Sequence, residues 1–299
     1  MAVNWYPGHM HKARKKIKEV MPEIDIVIEV MDARIPYSSE NPLVSELRQN
    51  KPCIKILNKT DLADPEVTKA WQSHFEQEHG VKAIGTTSEQ RGQIRKLPEL
   101  IRKLVPNRTA VKPIRAMIMG IPNVGKSTII NILAGKNIAK VGNEPAVTKR
   151  QQNIDLGNGI ILYDSPGFLW PKIHDENSGY RLAVSGAIKN TAIQFEDIAM
   201  YAADYLLVKY PDLLTTRYKL KLLPESDEHL LEEIGRKRGG LRAGGIIDMH
   251  KASEVLLHDY RSGALGRISL ETPEDIPEEL PVDEENSPNS VFVEKNDDD

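Results

Sequence analysis

The stretch Gly120-Ile121-Pro122-Asn123-Val124-Gly125-Lys126-Ser127 has the GxxxxGK[ST] spacing, set between an apolar run and a helix-forming run. That spacing suits phosphate chemistry. Glycines let backbone N–H groups turn inward around an anion, and a helix starting at Lys126 adds the positive end of its dipole. Lys126 is expected to neutralise the β- and γ-phosphates of a nucleoside triphosphate and Ser127 to ligate Mg²⁺, with Val124, Gly125 and Thr128 completing the cradle. Upstream, Asn58-Lys59-Thr60-Asp61 follows the apolar run Cys53–Leu57. A carboxylate at the position of Asp61 can accept two hydrogen bonds from the N1–H and exocyclic amine of guanine, whereas adenine presents no such donor pair. Missing that pair in a dry site costs on the order of a few kcal/mol, enough to separate the two purines. Alone, such a tetrapeptide is more often a turn and helix cap. Beside a phosphate loop, base reading by Asn58, Lys59 and Asp61 becomes the favoured use.

A third piece is Asp164-Ser165-Pro166-Gly167, in which Asp164 could hold Mg²⁺ through water and the Gly167 N–H could meet the γ-phosphate. Between it and the phosphate loop, Thr148 is either a switch threonine completing the Mg²⁺ shell or an ordinary turn residue. Thr87 and Ser88, in Thr86-Thr87-Ser88 downstream of Asp61, could back the base.

These groups need a scaffold that delivers them to one place. Ile24–Met31, Cys53–Leu57, Val81–Thr86, Arg115–Gly120, Ile154–Leu156 and Ile160–Tyr163 read as six strands. Helices are expected over His9–Val20, about Pro65–His79, near Ile94–Leu104 and from Lys126, the alternation of a mostly parallel sheet with covered faces. Beyond Pro171 the strand signal fades, and Ala183–Lys189, Ile193–Leu207, Asp227–Lys237 and Ile246–Tyr260 have helical periodicity, with the glycine-rich 239–245 as an interhelical loop.

Bulk properties limit the choices. The 299 residues suffice for an α/β domain plus an appendage, and no apolar run approaches the about 18 residues that cross a bilayer. A soluble, cytoplasmic protein without membrane contact is expected. The lone Cys53, flanked by apolar residues, excludes an internal disulfide and reads as a buried strand residue. Net charge is −3, yet residues 271–299 hold twelve acids against Lys295, so the remainder carries +8. A basic body with an acidic, proline-containing end suggests a phosphate-facing surface and a solvated tail. Arg217, Lys219 and Lys221 form one basic cluster, and Arg236, Lys237, Arg238 and Arg242 another, although acids lie close by.

Together, Trp5-Tyr6-Pro7-Gly8-His9-Met10, Asp32-Ala33-Arg34-Ile35-Pro36, Asn58 to Asp61, Gly120 to Ser127, Pro145 to Thr148 and Asp164 to Gly167 resemble the circularly permuted GTPases of the ribosome biogenesis GTPase A family, over about residues 1–270. The resemblance implies an α/β fold: a permuted P-loop GTPase domain over 1–177, a small all-helical domain over 178–270 and a disordered acidic tail over 271–299. It implies GTP hydrolysis, slow alone and stimulated by a ribosomal particle, with rRNA and a large-subunit precursor as partners of a monomer. The chain leaving Asp164 to Gly167 then runs straight into the helical domain, so loss of the γ-phosphate could move that domain. Phe168 stands where many GTPases carry a water-orienting glutamine, so another group must serve, and the resemblance nominates His9. Asn123 resembles the asparagine that ligates K⁺ in potassium-activated relatives, while Pro145-Ala146 departs from the family's usual Pro-Gly. Two alternatives stay open: an RNA-binding module with incidental hydrolysis, and a P-loop ATPase or kinase.

Overall fold

A computed structural model describes residues 8–87, 89–106, 112–139, 152–170, 175–188 and 194–276, with backbone only for 8–13. The basic segment forms α1 (Gly8–Val20), and Pro22 turns the chain into β1 (Ile26–Asp32). Two short helices, α2 (Pro36–Ser39) and α3 (Pro42–Arg48), follow, then β2 (Cys53–Asn58), α4 (Pro65–Phe75) and β3 (Val81–Thr86). Next come α5 (Arg91–Arg95), α6 (Leu97–Leu104), β4 (Ile114–Gly120), α7 (Lys126–Ala134), β5 (Gln152–Asp155) and β6 (Ile160–Asp164).

The sheet order is β3-β2-β1-β4-β6-β5, parallel throughout except for the antiparallel pair of β5 with β6. Every residue of β1 and β2 is buried, which is why both read as largely apolar runs without in–out alternation. Two charges interrupt them. Glu29 and Lys55 lie in register on neighbouring strands; Lys55 pairs with Glu40 and sits 4.2 Å from the Phe75 ring centre. Burial, reinforced by Glu40, raises the Glu29 carboxyl to about 7. Cys53 is buried in β2.

The remaining helices form one packed unit: α8 (Glu176–Ser185), α9 (Phe195–Lys209), α10 (Pro211–Tyr218), α11 (Asp227–Lys237) and α12 (Met249–Ser262). In that unit α9 packs against α8, α10, α11 and α12. Several boundaries differ from the periodicity. The Asp175 carboxylate accepts the Asn177 and Ser178 N–H groups and starts α8 well before Ala183. A helix over 94–104 is instead two, because Pro98 lacks an N–H and enters at the start of α6. α10 is hidden in sequence by Pro211, which opens it. Among the described residues no helix is long and apolar enough to cross a membrane.

One correction concerns the acidic end. Glu271 is fully buried, 3.2 Å from Arg181 and bonded to the Ser38 N–H and hydroxyl, and residues 272–276 are described as well. Charge counting alone does not separate this paired carboxylate from the exposed Glu274 and Asp275 that follow it. The remainder of the proposed tail, 277–299, lies outside the described residues.

Candidate nucleotide site

Register brings the chemistry together. Asp32 is aligned with Asn58, Val30 with Gly120 and Ile118 with Asp164, so Asn58, Asp32, Gly120 and Asp164 sit at the carboxyl ends of four adjacent parallel strands. In an open α/β sheet that edge is where ligands bind.

The phosphate loop and the purine motif are joined directly. Asn58 Nδ2 donates to the Val124 carbonyl at 2.7 Å, a buried bond linking residues 66 apart in sequence. Gly125 makes this approach possible: it caps α7 at φ +93, and an added Cβ would lie 2.2 Å from Asn58 Nδ2. Beyond it, Lys126 is buried and paired with Asp164 Oδ1, while Ser127 and Thr128 are half-buried on the first turn of α7. Burial raises the Asp164 carboxyl above its ordinary range although Lys126 pulls it down. Asp164 Oδ2 is buried without a hydrogen-bond partner, an unmet demand that a hydrated divalent cation would satisfy. The Asp164 carboxylate and the hydroxyl of Ser127, the residue after its partner Lys126, are hard oxygen donors, so the residue types present fit Mg²⁺.

After Asp164 the chain folds back onto the loop. A Cβ on Gly167 would stand 3.2 Å from the Pro122 backbone, and the Phe168 N–H donates to the Gly120 carbonyl at 3.3 Å. Phe168 itself is fully buried, its carbonyl accepting from Asn41 Nδ2 at 2.9 Å. The position after Gly167 is thus a core position. Asn123, at φ 62, donates from Nδ2 to the Gly186 carbonyl at 3.1 Å, which ties the phosphate loop to the carboxyl end of α8.

On the purine side, Asp61 is exposed and the Thr60 N–H donates to the Thr86 carbonyl at 3.1 Å. Thr87 is buried and its hydroxyl accepts the Glu89 N–H at 3.3 Å, a turn-capping bond. Ser88 and Thr148 lie outside the described residues, as does the side chain of His9.

The structure adds Asp32 and Arg34, to which sequence reasoning assigned no role, and ties Lys59 of the purine motif to them. Lys59, at φ 66, donates to Asp32 Oδ2 at 2.8 Å. Arg34 grips the same carboxylate through two bonds of 2.9 and 2.8 Å, lies 4.9 Å from the Tyr260 ring centre and reaches the Ser185 carbonyl at 3.4 Å. Burial would raise the Asp32 carboxyl, but Arg34 and then Lys59 outweigh it and hold it well below the ordinary carboxylate range. The available signal was position: Asp32 ends a strand just as Asn58 and Asp164 do.

The basic clusters are largely paired. Arg217 holds Asp259 through bonds of 2.8 and 2.7 Å, Arg236 holds Glu232 and Glu233, and Arg242 holds Asp248. Lys237 and Arg238 donate to the carbonyls of Lys219 and Arg217.

A doubly wound, mostly parallel sheet whose phosphate loop and Asn-Lys-Thr-Asp motif meet at one edge, the motif's strand preceding the loop's strand, defines a P-loop GTPase domain with permuted motif order. The comparisons agree. The family model for the 50S ribosome-binding GTPase matches residues 115–224. The chain is 46% identical to ribosome biogenesis GTPase A of Bacillus pumilus, over 92% of this chain and 100% of that protein. It is 48% identical to the Bacillus licheniformis protein of the same name, with the same coverage. Among solved structures, the GDP-bound YlqF of Thermotoga maritima superposes with a TM-score of 0.63 at 30% identity, over 87% of this chain and 100% of that one. The chain belongs to the ribosome biogenesis GTPase A family, and it is a GTPase.

Proposed function

We propose that the chain binds GTP across the sheet edge described above and uses its hydrolysis as a switch during assembly of the large ribosomal subunit. The observation that carries this is the Asn58–Val124 hydrogen bond, which makes the purine-reading and phosphate-gripping segments one site. In this reading Asn58, Lys59 and Asp61 select guanine, with Thr87 and Ser88 behind the base, and Asn123, Val124, Gly125, Lys126, Ser127 and Thr128 cradle the phosphates. Ser127, Asp164 and Thr148 hold Mg²⁺, which when bound offsets the negative charge on the phosphoryl oxygens. Lys126 leaves Asp164 for the phosphates, and the Gly167 N–H meets the γ-phosphate. Because Phe168 is buried in the core, the attacking water is oriented from elsewhere, with His9 the nominee. K⁺ as activator requires the Asn123 side chain, which here also serves Gly186.

The partner side rests on the relatives' names: ribosome biogenesis GTPase A, and a model described as 50S ribosome-binding. The helical unit is the surface offered to rRNA, with Lys219, Lys221, Lys237 and Arg238 as its candidate phosphate contacts, since Arg217, Arg236 and Arg242 are already paired with acids. A monomer acting in the cytoplasm fits this reading. The test is titration with fluorescent GDP and ADP, repeated with Asp61→Asn. Preference for GDP that Asp61→Asn abolishes supports the site, and equal binding of both nucleotides overturns it. GTP turnover with and without large-subunit precursors tests the switch: unchanged turnover leaves only an RNA-binding module with incidental hydrolysis. Exchanging K⁺ for Na⁺ without a change in rate removes the Asn123 cation role.

A further inference from the structure

The loop that carries Asp61 is held from outside by the chain leaving the helical unit. Past α12 the chain turns at Gly263, packed so closely on Leu62 that an added Cβ would lie 2.6 Å from its Cδ2. It then runs back along residues 60–64. The Ile268 N–H donates to the Leu62 carbonyl at 2.9 Å, and the Asp64 N–H to Ser269 Oγ at 3.2 Å. Arg267 spans the turn, Nη2 donating to the Thr60 carbonyl at 2.7 Å and Nε to the Ala63 carbonyl at 2.9 Å. Those two carbonyls bracket Asp61 and Leu62. Hydrogen bonds from a charged fork are the strong kind, and two of them fix both ends of the intervening turn.

The segment making these contacts is itself anchored. The Leu270 N–H donates to the Arg34 carbonyl at 2.8 Å, Tyr210 Oη to the Ser269 carbonyl at 3.1 Å and Trp71 Nε1 to the Glu271 carbonyl at 3.1 Å. Glu271 ends it in the buried pairing with Arg181 and Ser38. Asp61, by contrast, is exposed. Its direction is therefore set by the backbone on either side of it, and Arg267 holds that backbone.

We propose that Arg267 is a positioning and specificity-determining residue of the purine site: by tying Thr60 and Ala63 to the helical unit it aims the Asp61 carboxylate at the N1–H and 2-amino group of guanine. This rests on Asp61 being the guanine reader, as given under Proposed function. Selectivity among purines then depends on a segment some 200 residues away in sequence, as the Arg267 to Thr60 separation of 207 shows.

The test uses the full chain and two diphosphates that differ only in the 2-amino group, GDP and IDP, competed against fluorescent GDP. Wild type, Arg267→Met and Arg267→Lys are compared, with nucleotide-free melting to show that each is folded. Arg267→Met is expected to lose about tenfold in GDP affinity and clearly less for IDP, so that the GDP-over-IDP preference falls. Arg267→Lys, which keeps the charge without the fork, falls between. Equal weakening of both nucleotides, or no change in either, overturns the proposal. A wild-type chain that prefers neither GDP over ADP nor GDP over IDP defeats the base reading itself, and that outcome is visible before any Arg267 variant is made.

Discussion

Substituting Gly125 by alanine tests whether the two halves of the site meet as described. At φ +93 an L-residue costs about 1–2 kcal/mol. The new Cβ would also fall 2.2 Å from Asn58 Nδ2, so the Asn58 side chain must leave. Its 2.7 Å bond to the buried Val124 carbonyl then breaks, and an unmet buried acceptor costs about 1–3 kcal/mol. Gly125→Ala should therefore lose about 3–4 kcal/mol of stability. Asn58→Ala loses the same bond without backbone strain, about 2 kcal/mol. The double variant loses the bond only once and meets no clash, so it should resemble Gly125→Ala rather than the sum, with a coupling of about 2 kcal/mol. Urea denaturation of the four nucleotide-free proteins measures this. Additivity within about 0.5 kcal/mol would refute the reasoning, since it would mean that the loop at Gly125 and the Asn58 side chain do not share space.

Phe168→Gln should destabilise by about 3 kcal/mol or more in urea without raising GTP turnover, because its side chain enters the core rather than the site. Asp32→Asn should cost about 3–5 kcal/mol near neutral pH by leaving Arg34 buried without its carboxylate. Since Arg34 and Lys59 hold the folded Asp32 well below its ordinary value of 3.8, that contribution is complete above the unfolded value and fades as pH falls through the folded one. Denaturation curves of wild type and Asp32→Asn should accordingly converge on acidification. Glu29 has the opposite sign: its folded carboxyl at about 7 binds a proton more tightly than the unfolded one at 4.5, so wild-type stability falls as pH rises across that window, and Glu29→Gln should remove that part of the slope.

The strand and motif pattern was legible because continuous apolar runs such as Ile26–Met31 and Cys53–Leu57 are what fully buried parallel strands require, and each run ends in polar residues. Six strands and the meeting of Asn58 with the phosphate loop follow from that punctuation. Other features depend on tertiary partners and leave no local trace. Arg217 reads as a free cation until Asp259, 42 residues on, is found beside it, and Glu271 reads as tail until Arg181 and Ser38 close around it. Phe168 has no hydrogen-bonding side chain with which to orient water, and its burial comes from packing that no spacing reveals. The α10 helix escaped because a proline at a first turn is also a plausible break.

Permuting the motif order changes what the helical unit can touch. Here the chain leaving Gly167 enters α8, whose carboxyl end meets Asn123 of the phosphate loop through Gly186 and Arg34 through Ser185. Arg261 of α12 seals the same helix end by donating to the Ala183 and Val184 carbonyls at 2.8 and 2.9 Å. The chain leaving α12 then returns to the loop around Asp61. The two ends of one helical unit thus grip opposite ends of the proposed nucleotide site, joined through the buried Glu271–Arg181 pair between the returning segment and α8. Any displacement of α8 with the Asp164–Gly167 segment must either carry residues 263–271 along or break that pair, and a buried pair broken on one side costs about 3–5 kcal/mol. That cost favours concerted movement of the purine and phosphate halves over independent movement of either.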